Sequence, residues 1–151
     1  MKKLLAALML AVLPQMGAGD MINQDVQAVE CLARNMYHEA RGESISGIRA
    51  VGHITMNRVK HAKFPSTVCG VVYQKFKRSC QFSWVCSKTS LPKKEHYEKI
   101  KSIAREVYYG SSKDPTRGAT HFHHRGIQPA WRGFLKTTAI GNHVFYRERE
   151  R

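Results

Sequence analysis

The chain has 151 residues, 42% apolar and 24% charged, enough for one domain with a core and too short for two. With 25 Lys and Arg against 11 Asp and Glu, its formal net charge is +14. Such a field favours polyanions without choosing among nucleic acid, anionic lipid and the acidic polymers of a bacterial envelope. No apolar stretch is long enough for a stable membrane span.

The chain opens on MKKLLAALMLAVLPQMGAGD, with Lys2 and Lys3, an apolar run over residues 4–13, a break at Pro14 and small residues at Gly17, Ala18 and Gly19. This is the layout of a secretory signal peptide, expected over residues 1–19 with cleavage after Ala18 or Gly19. An uncleaved anchor is the alternative. Residues 20–151 are then one exported domain, bound for the periplasm, envelope or exterior, and a monomer is expected.

Apolar residues at Val26, Val29, Leu32, Ala33, Met36, Tyr37 and Ala40 trace one helical stripe over 25–40, with Asn23 or Asp25 as cap and Gly42 as stop. A second helix is expected from Ser46 to Val59, ending before Phe64 and Pro65. Residues 66–74 suit a short helix or strand, and KFKRSCQFSWVCSKTS reads as a loop. A third helix is expected over 93–109, closed by Gly110. After a turn-rich link, THFHH and HVFYR alternate like short strands that could pair. The fold expected is α+β, mostly helical, with a few short C-terminal strands. Four cysteines, Cys31, Cys69, Cys80 and Cys86, suit an oxidising compartment and at least one disulfide, with three pairings open.

Within YHEARGE, Glu39 falls in the last turn of the first helix, beside Met36, Tyr37 and Ala40. Helix-end carbonyls and poor hydration both disfavour a carboxylate there and raise its pKa, which suits a general acid. Glu43 could add a like charge, although the break at Gly42 stands between them; pairing of Glu39 with Arg34 or Arg41 on the surface is the bland alternative. His121 and His123 share one strand face. With His38 they could hold zinc, but HEARGE lacks the second histidine of His-Glu-x-x-His and no Cys-x-x-Cys is present, so neither metal nor cofactor is expected. Gln81, Ser83 and Trp84, between Cys80 and Cys86, suit sugar recognition, with a buried Trp84 anchoring a disulfide-tied loop as the bland alternative, and no nucleophilic-serine motif surrounds Ser83. Basic residues interleave with Trp131, Phe134, Phe145 and Tyr146, a pattern that would serve single-stranded nucleic acid or a glycan with acidic peptides. The leader favours the glycan, and no nucleic acid is expected.

In order, CLARNMYHEARGES, GIRAVGHITMNRV, FPSTVCGVVYQ, CQFSW, GATHFHHRGIQPAW and IGNHVFYR resemble the cell-wall hydrolases of SleB/CwlJ type, the spore-cortex-lytic enzyme family, over roughly residues 28–147. The resemblance implies a compact domain like lytic transglycosylases and lysozyme. It implies cleavage of peptidoglycan glycan strands between N-acetylmuramic acid and N-acetylglucosamine, with Glu39 as the acid. Glu43, Gln81, Ser83, Trp84, His121, His123 and Trp131 are expected to bind substrate. The basic HHRGIQ departs from the family pattern, and no separate wall-binding module is expected beside the domain. Bacterial remodelling enzyme and phage endolysin both fit. The alternatives are an N-acetylmuramoyl-L-alanine amidase with a histidine-bound zinc and a non-enzymatic basic protein that binds envelope polyanions.

Overall fold

The computed structural model describes residues 17–90 and 92–149, so most of the expected leader lies outside the described residues. The first helix, α1, runs Ala18–Ala40, seven residues earlier than its apolar stripe announces. Met21 and Ile22 in its opening turns are exposed, so no buried face marks that stretch in the sequence. Its buried residues Val29, Leu32, Ala33, Met36, Tyr37 and Ala40 follow the predicted stripe. Among the described residues no helix is long and apolar enough to cross a membrane.

Helix α2, Ile45–Val59, is capped by Ser44, whose hydroxyl accepts from the Gly47 amide. It crosses α1 closely at Gly52, where a Cβ would press on the Met36 sulfur. A short α3, Val68–Val72, starts at Thr67, whose hydroxyl accepts from Gly70 N at 3.1 Å. Helix α4 spans Lys94–Tyr108. Gly110, at φ +76°, ends it: the Ser111 amide reaches the Glu106 carbonyl and the Gly110 amide that of Val107. The four helices bury one apolar cluster that includes Leu32, Met36, Val51, Val72, Ile100 and Ala104.

The segment read as loop contains a small hairpin, β1 (Lys75–Phe76) and β2 (Ser79–Cys80), and then a 3-10 turn at Ser83–Cys86. These elements are too short to show a period. Strand β3, His121–His124, pairs antiparallel with β5, His143–Glu148, as THFHH and HVFYR suggested. Between them in sequence lies a strand the alternation did not reveal, β4 (Phe134–Ile140), whose register slips between Lys136 and Thr138. That irregularity breaks the two-residue period. The sheet order is β3-β5-β4, which leaves β3 on an edge. Phe145 packs with Ala50, Ile54 and Ala119 in a second cluster that fixes the sheet to α2.

Both disulfides form. Cys31–Cys69 joins α1 to α3 across 38 positions, and Cys80–Cys86 closes the loop that carries Gln81, Ser83 and Trp84.

Candidate active site

The last turn of α1 brings Glu39 to a cleft of about 450 Å³. One wall is the β2 loop, with Gln81, Phe82 and Ser83; the other follows the β3 edge through His121, Phe122 and His123 to Trp131. Glu39 is the only carboxyl among the described residues lining it. A larger hollow of about 850 Å³ holds one carboxyl, Asp25, and that group is occupied, accepting from the Tyr108 hydroxyl at 2.7 Å. Of these two hollows, the smaller holds a carboxyl with no hydrogen-bond partner among the described residues.

The Glu39 carboxyl makes no hydrogen bond and no ion pair among the described residues. Burial holds its pKa above the usual carboxylate range, and the positive charge of Arg58 works in the opposite direction. The surface pairings available in the sequence do not form: Arg34 binds Glu30 at 3.3 Å, and Arg41 lies over the Tyr37 ring. Glu43 is no like-charge neighbour either. Its carboxylate accepts from the Asn142 amide at 3.1 Å and from Asn142 Nδ2 at 3.0 Å, tying the β4–β5 turn to the start of α2. At that turn Gly141 has φ +56°, and a Cβ there would strike Glu43.

Of the expected binding residues, Gln81, Ser83, His121, His123 and Trp131 line the cleft with Glu39. Glu43 and Trp84 do not. Trp84 stacks on His38 with ring centroids 4.4 Å apart and donates Nε1–H to the buried Asn35. Asn35 also donates to Thr55, so the indole anchors the loop to α1 and α2 rather than facing a sugar.

The histidines divide by their partners. His123 Nδ1 sits 2.8 Å from the His124 carbonyl, which fixes the proton on Nδ1 and makes Nε2 the acceptor for the Tyr146 hydroxyl at 3.1 Å. His121 keeps Nδ1 against the Thr120 hydroxyl at 3.0 Å and packs on Phe134 and Trp131. Burial, aided by the charge of Arg58, pulls its pKa down to about 4, so it is neutral at physiological pH. Among the described residues no three His, Cys, Asp or Glu side chains form a metal-binding group.

Among the polar cleft residues, Arg58, His124 and His143 received no site role in the sequence reading, and the apolar Phe82, Phe122 and Ile127 line the cleft beside them. Arg58 lies in the GIRAVGHITMNRV segment of the resemblance, which gave it no individual role. Its signal was the preceding asparagine. Asn57 donates to Asp114 at 3.0 Å and to the Ala119 carbonyl at 2.9 Å, while Arg58 Nε donates to the Thr120 carbonyl at 2.7 Å. The pair clamps the loop before β3 onto α2 and so sets the cleft's far wall. Asp114 organises that loop from within, accepting from Thr116 and Gly118.

Fold and site together define an α+β catalytic domain built around one sequestered acid at a helix end. The chain belongs to the cell wall hydrolase family, whose pattern it matches over residues 42–146. That match begins three residues after Glu39. Spore cortex-lytic enzymes of Bacillus cereus and Oceanobacillus iheyensis are 41% identical over 46 residues, which is 30% of this chain and 18% and 17% of theirs. The chain thus aligns with less than a fifth of those proteins' length. The crystal structure of the catalytic domain of the Bacillus cereus SleB protein superimposes with a TM-score of 0.63 at 26% identity, covering 83% of this chain and 91% of that one. The catalytic domain of SleB from Bacillus anthracis, a germination-specific lytic transglycosylase, gives 0.61 at 27% identity, with 80% and 93% covered.

Proposed function

We propose that the protein cleaves the glycan strands of peptidoglycan between N-acetylmuramic acid and N-acetylglucosamine as a lytic transglycosylase. The observation that carries this reading is the solitary carboxyl of the cleft. Glycosidases that release a reducing sugar with water use two carboxyl groups, one as acid and one as base or nucleophile. A single glutamate suits a different route. Glu39, protonated, gives its proton to the glycosidic oxygen as the bond from muramic C1 breaks. The resulting Glu39 carboxylate then takes the proton of the muramic C6 hydroxyl as O6 bonds to C1. The product carries a 1,6-anhydro ring, no water is consumed, and Glu39 is reprotonated.

Gln81 and Ser83 would hydrogen-bond sugar acetamides, His121 would present a neutral imidazole, and Trp131, 38% exposed, would offer a ring face for stacking. Two disulfides favour work outside the cytoplasm, in keeping with export directed by residues 1–19. Both a remodelling enzyme and a phage endolysin would meet this description.

Digestion of purified sacculi followed by mass spectrometry of the soluble products tests the reading. Muropeptides with anhydro ends are expected. Reducing muramic ends would convert the reaction to hydrolysis, and free peptides with intact glycan would replace it with the amidase reading.

A further inference from the structure

The chemistry proposed for Glu39 leaves Arg58 without a part, although it lines the same cleft. Arg58 is 3% exposed, and among the described residues no other Lys, Arg, Asp or Glu is so deeply buried. Its guanidinium lies between Phe64 and Phe82, 5.1 and 5.2 Å from the two ring centroids. Nε holds the Thr120 carbonyl, yet among the described residues neither terminal nitrogen has a hydrogen-bond acceptor, and Nη1 is enclosed. Anchoring one carbonyl needs a donor, not a charge. Enclosing a cation without a bonded counter-ion is costly unless a charge is balanced there at some stage.

The surrounding groups narrow what does the balancing. From β3 the cleft receives His121, His123 and His124, and from β5 His143, none of which can carry a negative charge. Glu148, beyond His121, is bound by Lys63 at 2.5 Å, with His61 close by. Glu43, beyond His143, is held by Asn142. The carboxyl that shares the cleft with the guanidinium is Glu39.

Given the acid role assigned to Glu39 above, we propose that Arg58 is a positioning residue for proton donation, its fixed charge balancing the Glu39 carboxylate that forms when the glycosidic oxygen takes the proton. At rest the pair is guanidinium and neutral acid, with one uncompensated charge. After donation it is guanidinium and carboxylate, with none. The residue therefore favours the ionised state over the protonated one, which is differential stabilisation of the kind that lowers a barrier. The opposing influences on the two groups agree: Glu39 works against the burial that brings the Arg58 pKa down to about 10, a value that still leaves the guanidinium charged near neutrality.

The test reads ionisation directly. With side-chain carboxyl carbons labelled, the Glu39 titration is followed by NMR in the wild type, in Arg58→Gln and in Arg58→Lys. Arg58→Gln is expected to raise the Glu39 midpoint by about one pH unit or more. It is also expected to move the alkaline limb of kcat/KM by the same amount and lower kcat at least tenfold, and Arg58→Lys to restore most of the midpoint. An unmoved midpoint in Arg58→Gln overturns the inference, because a purely structural role predicts lost melting temperature without a shifted titration. A second readout needs no change at Arg58: its Nη resonances should follow the Glu39 midpoint in the wild type and stay flat in Glu39→Gln, and flat traces in both overturn it. Coupling without turnover on sacculi would sink the glycan-cleaving reading alone; turnover without coupling would sink this inference alone.

Discussion

The Trp84 indole donates Nε1–H to Asn35 Oδ1 at 2.9 Å, and Asn35 lies on α1 one turn ahead of Glu39. The acid and the loop facing it are thereby referenced to the same helix. Asn35 is fully buried, so Asn35→Ala strands both the indole donor and the Thr55 contact. A loss of about 1–3 kcal/mol in denaturant unfolding is expected. Trp84→Phe should cost less stability, yet both variants should lower the rate on sacculi because the Gln81 and Ser83 wall loosens.

Glu39 stands above the ordinary carboxylate range because of burial, so it resists ionisation in the folded protein more than in the unfolded chain. Its contribution is neutral at acid pH and turns unfavourable as pH rises from the unfolded value through the folded one. Glu39→Gln should accordingly melt at or above the wild type at neutral pH, and the gap should close in acid. Melting curves across that range check it; a variant that melts lower at neutral pH would show that the carboxylate is structurally paired.

His121 behaves in the opposite sense with pH. Its folded pKa of about 4 lies below the free imidazole value of 6.5, so the unfolded chain binds more protons between the two. Stability should fall as pH drops through that window. His121→Asn or His121→Phe should flatten this part of the stability curve, measured by urea unfolding at stepped pH.

The two disulfides should separate stability from activity. Cys31–Cys69 spans 38 positions and Cys80–Cys86 spans six. On chain entropy the first contributes about 4 kcal/mol and the second about 2 kcal/mol. Replacing the first pair by serine should lower the melting temperature more. Replacing the second should lower turnover more, since it braces Gln81 and Ser83.

Much of this arrangement is legible in the residues alone. The stripe from Val26 to Ala40 predicted the α1 face, except that Val26 itself is exposed, and put Glu39 at its end, because burial in a helix leaves a 3.6-residue trace. The strands at THFHH and HVFYR showed themselves by alternation. What stayed hidden has physical reasons. The opening turns of α1 bury nothing and leave no trace, and the slip between Lys136 and Thr138 erased the period of β4. Trp84 lies outside the cleft lining because an indole suits a hydrogen bond to Asn35 as well as it suits a sugar. Glu43 is held by Asn142, 99 positions away, a contact no local pattern encodes. Arg58 was missed because its burial depends on Phe64, Phe82 and Thr120, which only the fold assembles around it.

The most direct test of the central claim compares wild type and Glu39→Gln on purified sacculi, with both proteins first shown to melt cooperatively. The wild type should solubilise the glycan, and the variant, differing by one ionisable oxygen, should release essentially nothing. A variant that dissolves sacculi within about tenfold of the wild-type rate would contradict the assignment, since loss of a positioned acid costs about a hundredfold or more.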